Sequence, residues 1–353
     1  MLPFAIPARG KTLEPWTKLR PRGGGGSDRS FHFAGKDFMS HDIPRSAHSR
    51  GHDHDHDHDH EHGHGHGHEP HGRIRPPKAG ILLAAFGAAV PEARSGYEIF
   101  ESEVRERFPD IALGWAFTAH KVRRKLARRG YDHDSVAVAL SRLHDAGVTH
   151  LAVQSLHATP GVEYHWTLDQ AMVYRHPRKG FLDVRVGAPL LMAEDDLIRA
   201  REALESYIPD ARRPDEAVVL AGHGTYHAGH RRYLDFQARA GARDPLLFVG
   251  TLMGAPGCDA VLAALREARV RRVWLLPFMS VPGHHVRVDI FGDHARSWKS
   301  RMTAAGFEVE TRMTGILENK AFRDIWMGHL DAVFEAVRPQ PEPNENGDSH
   351  AHF

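Results

Sequence analysis

Histidine dominates the reactive chemistry of this 353-residue chain, which carries 29 of them against a single cysteine, Cys258. Between Gly51 and Gly72 the sequence GHDHDHDHDHEHGHGHGHEPHG puts a histidine at every second position: His52, His54, His56, His58, His60, His62, His64, His66 and His68. Neutral imidazole is the commonest protein ligand for late first-row metals, so this tract can hold Co²⁺, Ni²⁺, Cu²⁺ or Zn²⁺ without choosing among them. Its alternation with Asp and then Gly is unlike a run of consecutive histidines, and it reads as a metal-buffering or metal-delivery segment. Two other histidines stand alone. His157 follows an apolar run and precedes the turn Thr159-Pro160-Gly161, and His223 lies between Gly222 and Gly224 at the end of another apolar run. Each alone could be structural. As a pair at matched strand ends they suit a shared metal or acid–base site. Two imidazoles make an open, weak site for a divalent ion, so a carboxylate is expected as third ligand. Glu194, after the short strand Val184 to Gly187, is the first choice, and Glu163 is the second.

The elements that would position these residues are legible from periodicity. Ile81 to Phe86, Ile111 to Phe117, His150 to Leu156 and Val184 to Gly187 are short apolar runs, as expected of strands buried on both faces. Residues 91–108, 120–129 and 136–146 read as helices between them. Alternating strands and helices imply an α/β protein with parallel sheets. The second half repeats the first. Gly80 to Gly87 aligns with Ala217 to Gly224, and Leu151 to Gly161 aligns with Val273 to Gly283. The chain is thus expected to hold two similar βαβα half-domains, residues 78–210 and 211–338, with a cleft between them. In this alignment Phe86 matches His223, and His157 matches Met279, so each half supplies one histidine from a non-equivalent strand end. Ligands of parallel α/β sheets bind at the carboxyl ends of strands, which would face both histidines into the cleft.

Composition limits the alternatives. Residues 1–77, with Gly23 to Gly26, scattered Pro and Arg and the histidine tract, show no apolar periodicity and read as a disordered extension, as does the tail 339–353. Lys and Arg (46) nearly balance Asp and Glu (45), which gives no reason to expect a nucleic-acid partner. One cysteine excludes an intramolecular disulfide and a CxxC site. No apolar run reaches the roughly 18–20 residues that span a bilayer, and the N-terminal residues lack a secretory pattern, so no membrane contact and a cytoplasmic location are expected.

Gln154-Ser155-Leu156-His157, Gly222-His223-Gly224, Pro277-Phe278-Met279 and Gly292-Asp293 followed by Ser297-Trp298-Lys299 occur in the order found in the anaerobic-pathway cobalt chelatases of cobalamin synthesis. The chain resembles that family across essentially all of 78–338. The resemblance implies a ferrochelatase-like fold and insertion of Co²⁺ into sirohydrochlorin, with Co²⁺ as substrate metal and no organic cofactor. It implies that His157 and His223 are the metal-site and catalytic histidines, with Glu194 as third ligand. His223 is taken as base and ligand, and His157 as ligand.

A polyanionic tetrapyrrole needs cations. Arg94, Arg124 and Lys125, with the neighbouring Arg123, Arg128 and Arg129, are candidates, and Phe86 and Met279 could wall the flat macrocycle. The chain departs from the family where His284 replaces a common Asp, where Val162 precedes Glu163, and in its long N-terminal extension. Nickel or iron insertion, and non-catalytic carriage of metal or tetrapyrrole, are the alternatives. The sequence leaves a homo-oligomer open.

Overall fold

The computed structural model describes residues 75–339. The histidine tract and the C-terminal tail lie outside these residues. Two four-stranded, all-parallel sheets form the scaffold, with strand orders β2-β1-β3-β4 and β6-β5-β7-β8. The first contains β1 (Ala79–Ala85), β2 (Ala112–Phe117), β3 (His150–Ser155) and β4 (Asp183–Gly187); the second contains β5 (Ala217–Gly224), β6 (Leu247–Met253), β7 (Arg272–Phe278) and β8 (Glu308–Thr311). The repeat extends to register. Gly80 pairs with Leu151 in the first sheet, and Ala217 pairs with Val273 in the second, which are the positions the sequence alignment matches. The expected α/β architecture with two similar parallel-sheet halves is therefore present.

Helices connect the strands. The first half has α1 (Ser95–Arg107), α2 (His120–Ala127), α3 (Val136–Asp145), α4 (Val162–Val173) and α5 (Glu194–Tyr207). The second has α6 (Arg231–Arg243), α7 (Cys258–Glu267), α8 (Trp298–Ala304) and the long α9 (Lys320–Val337). The helix read over 91–108 is divided: a single 3₁₀ turn covers Pro91–Ala93, and α1 starts at Ser95. Local capping fixes other boundaries. The Ser135 side chain accepts from the Val138 amide ahead of α3, and Ser297 accepts from Ser300 ahead of α8.

Alternation along the central strands separates three layers of core. In β1, Ile81, Leu83 and Ala85 face one cluster, while Leu82 and Ala84 face another; in β5, Val218 and Leu220 face the first, while Val219 and Ala221 face a third. The first cluster joins the halves, because it mixes Ile81 and Leu83 with Val218, Leu220 and Phe278 and with α9 residues Phe322, Trp326 and Leu330. Each fully buried Leu or Phe there contributes roughly 1.5–3 kcal/mol by leaving water. The helix α9 closes the second half in sequence but packs on β3 and β4 of the first sheet. The division at 210/211 thus describes the repeat in sequence, and α9 straps one half to the other. Tyr207 on α5 adds a polar tie, its hydroxyl donating to the Pro277 carbonyl at 2.5 Å and the Thr314 carbonyl at 2.7 Å.

Candidate functional site

Both central strands end in a glycine-marked turn, and these turns aim the site residues. Gly87, after Phe86, has φ +92°, and Gly224, after His223, has φ +75°. A Cβ at Gly224 would stand 1.8 Å from the Met253 carbonyl oxygen, and one at Gly87 would stand 2.6 Å from the Phe117 ring. Only glycine meets both demands, the left-handed backbone and the close approach. The strand ends then meet across the cleft, with the Phe86 and His223 rings 5.7 Å apart between centroids. The second pair of tips is joined by Ser280, whose hydroxyl donates to the Leu156 carbonyl at 2.6 Å.

The cleft so formed has a volume of about 620 Å³ and is walled mainly by apolar side chains, Phe86, Tyr97, Phe278, Met279 and Val281 among them. His157 and His223 both open into it. A pocket of this size, mostly apolar and with few polar groups, is typical of a small-molecule site.

Burial sets the state of the two imidazoles. His157 is 9% exposed, and desolvation pushes its pKa down to about 4. Its Nδ1 lies 2.9 Å from the Ser155 hydroxyl and its Nε2 lies 3.4 Å from the Thr118 hydroxyl. His223 is lowered too, first by burial, with the nearby His285 adding to the effect and Glu163 opposing it. Its Nδ1 donates to the Gly224 carbonyl at 3.0 Å, which leaves the Nε2 lone pair available. A neutral imidazole with a free lone pair, as His223 offers, is what a divalent ion requires.

The carboxylate expected first is elsewhere. Glu194 opens α5, where an acidic residue complements the helix dipole, and its side chain is 58% exposed. It pairs with Arg232 at 3.0 Å and with Arg239, both on α6, which hold its pKa below the usual carboxylate range. It ties α5 to α6 outside the cleft. Glu163, the second choice, lines the cleft at the first turn of α4, and its charge is felt by both His223 and Arg123.

The basic candidates also divide. Lys125 lines the cleft; Arg124 and Arg94 do not. Arg94 caps α1, with its guanidinium 5.5 Å over the Tyr131 ring. Arg123 is spent on the Thr118 carbonyl at 2.9 Å and that of Phe117, and Arg129 on the Ala89 carbonyl at 2.9 Å. Lys121, which the sequence reading passed over, lies one helical turn before Lys125 and lines the cleft with it. Helical i, i+4 spacing was the available signal. His284 and His285 also reach the cleft and were not anticipated there. Phe86 and Met279 line it as expected. Among the described residues no three His, Cys, Asp or Glu side chains converge closely enough to hold an ion. His157, Glu163 and His223 all line the one cleft.

The family model for cobalt chelatase (CbiK) matches residues 79–335. The chain belongs to the cobalt chelatase family. A sirohydrochlorin cobaltochelatase, CbiKC, of Nitratidesulfovibrio vulgaris (strain Hildenborough) is 40% identical over 269 residues, which is 76% of this chain and 95% of that protein. The sirohydrochlorin cobaltochelatase of Salmonella typhimurium (strain LT2) is 31% identical over 255 residues, 72% of this chain and 95% of the relative. The family match spans both sheets, and the histidine tract falls outside it. Among solved structures, SirB from Bacillus subtilis with Fe³⁺ is similar with a TM-score of 0.49 at 13% identity, covering 72% of this chain and 95% of SirB. No helix among the described residues is long and apolar enough to cross a membrane.

Proposed function

We propose that this chelatase inserts Co²⁺ into sirohydrochlorin, in the cleft between the half-domains 78–210 and 211–338. The observation that carries the reading is that His157 and His223, from non-equivalent strand ends of a duplicated unit, open into one apolar cleft. Its supports are the two curated relatives named for this activity and the family model for cobalt chelatase.

In this reading His157 and His223 hold Co²⁺, and Glu163, in place of Glu194, moves in as third ligand once the ion is bound. The three-ligand set stays open toward the macrocycle, so metal already bound can exchange its remaining waters for pyrrole nitrogens. The macrocycle lies against Phe86 and Met279, with its acidic edge toward Lys121 and Lys125. Insertion exchanges two pyrrole N–H protons for one Co²⁺, so charge balances with the release of two protons. As the metal leaves His223, the freed lone pair takes one of them, and water in the open cleft takes the other. No organic cofactor enters this chemistry. The tract from His52 to His68 serves as an auxiliary metal store, and the protein acts in the cytoplasm.

The test is metallation of sirohydrochlorin, followed by absorbance with Co²⁺, Ni²⁺ and Fe²⁺ in turn. Co²⁺ product is expected from the parent chain. His157→Ala and His223→Ala are expected to lose most of the activity while keeping the parent's circular dichroism. A non-catalytic carrier would bind metal or tetrapyrrole and give no product with any of the three metals. Near-normal turnover in both variants would remove the site assignment.

A further inference from the structure

Two imidazoles beyond the expected pair lead from the cleft toward solvent. The His285 ring is 4.9 Å from that of His223, and the His284 ring is 5.9 Å from that of His285, centroid to centroid. Exposure falls along this series. His284 is exposed, His285 has a side chain 41% exposed, His223 is half-buried and His157 is buried.

The hydrogen bonding of these rings favours a metal ion. His285 Nδ1 stands 2.7 Å from Asp289 Oδ2. An ionised carboxylate only accepts, so Nδ1 carries the hydrogen and Nε2 keeps its lone pair. A carboxylate behind an imidazole is the arrangement that orients metal-binding histidines and raises their donor strength. Asp289 is presented by the π-helical turn Val286–Ile290, a rare local geometry that recurs at functional sites. Among the described residues nothing bonds to Nε2 of His285 or to either ring nitrogen of His284. Gly224 fixes the same tautomer in His223. Three successive rings thus offer free donor atoms along one wall.

We propose that His284, His285 and His223 form an entry track that passes the divalent cation from solvent to the insertion site, a proposal that rests on the chelatase reading of the cleft. Because no three ligating side chains converge among the described residues, the ion is held by neighbouring pairs, with water completing its shell. At each transfer one metal–nitrogen bond forms and one breaks, with no change of oxidation state. Two-imidazole stations bind weakly enough to release, which a track requires and a storage site does not. Phe86, Lys121 and Lys125, which line the same cleft, are left for the tetrapyrrole.

Two measurements on the full-length chain test this. In the first, free Co²⁺ is clamped with a chelator buffer, so that binding by the histidine tract cannot alter it, and metallation of sirohydrochlorin is followed. His285→Ala is expected to raise KM for Co²⁺ by about tenfold or more, with a smaller rise in Asp289→Asn and kcat lowered less than about threefold in both. An unchanged KM for Co²⁺ in His285→Ala overturns the track. So does a fall in kcat with KM unmoved, which is the signature of a structural or chemical role. The second measurement needs no turnover. His285→Cys is titrated with excess Co²⁺ and scanned for the near-ultraviolet thiolate-to-cobalt charge-transfer band. The tract contains no thiol, and Cys258 is 5% exposed with its pKa pushed up to about 11, so the parent gives no such band. A band in the variant supports the track and its absence refutes it. If the parent makes no metallated product while the band still forms, the chelatase reading fails and the metal path stands.

Discussion

Removing the two lysines at the mouth of the cleft tests how the enzyme holds a polyanion. Lys121 and Lys125 lie one turn apart on α2, both line the cleft, and among the described residues neither has a carboxylate partner. Like charges at i, i+4 repel by a few tenths of a kcal/mol, a cost that the fold bears without compensation. A substrate carboxylate about 4 Å from an ammonium gains roughly 4 kcal/mol at an effective dielectric of about 20. Both lysines are exposed, so desolvation, side-chain ordering and salt reduce the net gain to about 0.7 kcal/mol each. Together that is about 1.4 kcal/mol, or about tenfold in affinity. The double substitution Lys121→Met/Lys125→Met is therefore expected to raise KM for sirohydrochlorin about tenfold, with KM for Co²⁺ unchanged. The salt dependence of KM should shrink with it, and thermal stability should hold or rise slightly. The assay is initial-rate metallation at saturating Co²⁺, with tetrapyrrole varied at low and moderate salt, and Arg124→Ala as the control outside the cleft. A double variant whose KM for sirohydrochlorin stays within twofold of the parent would refute the reasoning.

Other outcomes follow from the same geometry. Glu163→Gln should lower turnover at limiting Co²⁺ by on the order of tenfold, as loss of a metal-site partner does, while Glu194→Gln should leave it within twofold; the reverse ranking, read in the same assay, would restore Glu194 as the ligand. His133, stacked on Phe117 with ring centroids 4.5 Å apart, has its pKa pushed down to about 4 by burial and by Arg94. The folded state thus resists a proton that the unfolded chain takes near pH 6.5, so this contribution is complete above that pH and is lost as pH falls toward 4. The full shift corresponds to about 3 kcal/mol, and partial exposure of the ring reduces this to about 2 kcal/mol. Urea unfolding from pH 7 to pH 4.5 should show His133→Phe losing less stability than the parent, and parallel curves would count against the assignment.

The strands were legible because their sequences are continuous apolar runs, and residues buried on both faces leave little else they could form. The duplication was legible because equivalent strands kept similar residues at equivalent positions, including Gly87 and Gly224, whose backbone conformation no other residue adopts at comparable cost. The division of α1 from the 3₁₀ turn at Pro91–Ala93 was not legible. The apolar positions on both sides share one period. Nor was the path of α9, whose amphipathic face could have covered either sheet.

Among site residues, the chain order told which were near strand ends but not which way they turned. Glu194 and Glu163 each follow a strand of the first sheet within a few residues. The β4–α5 connection, residues 188–193, carries Glu194 to the start of a helix beside Arg232 and Arg239, whereas the β3–α4 connection of equal length, residues 156–161, sets Glu163 in the lining of the cleft. Arg124 and Lys125 are neighbours in sequence, yet successive helical positions differ by about 100° in direction, and Lys121 shares the cleft face with Lys125.

The two parallel sheets, their repetition and the placing of His157 and His223 by strand ends thus follow from the residue pattern alone, because local periodicity and glycine-marked strand ends encode them directly. It takes the fold to bring Glu163 and not Glu194 into the cleft lining beside the two histidines, to put Lys121 with Lys125, and to set His284 and His285 on the way to solvent. Those outcomes depend on the direction each connection takes, on helix phase and on the packing of one half against the other, none of which a linear motif records.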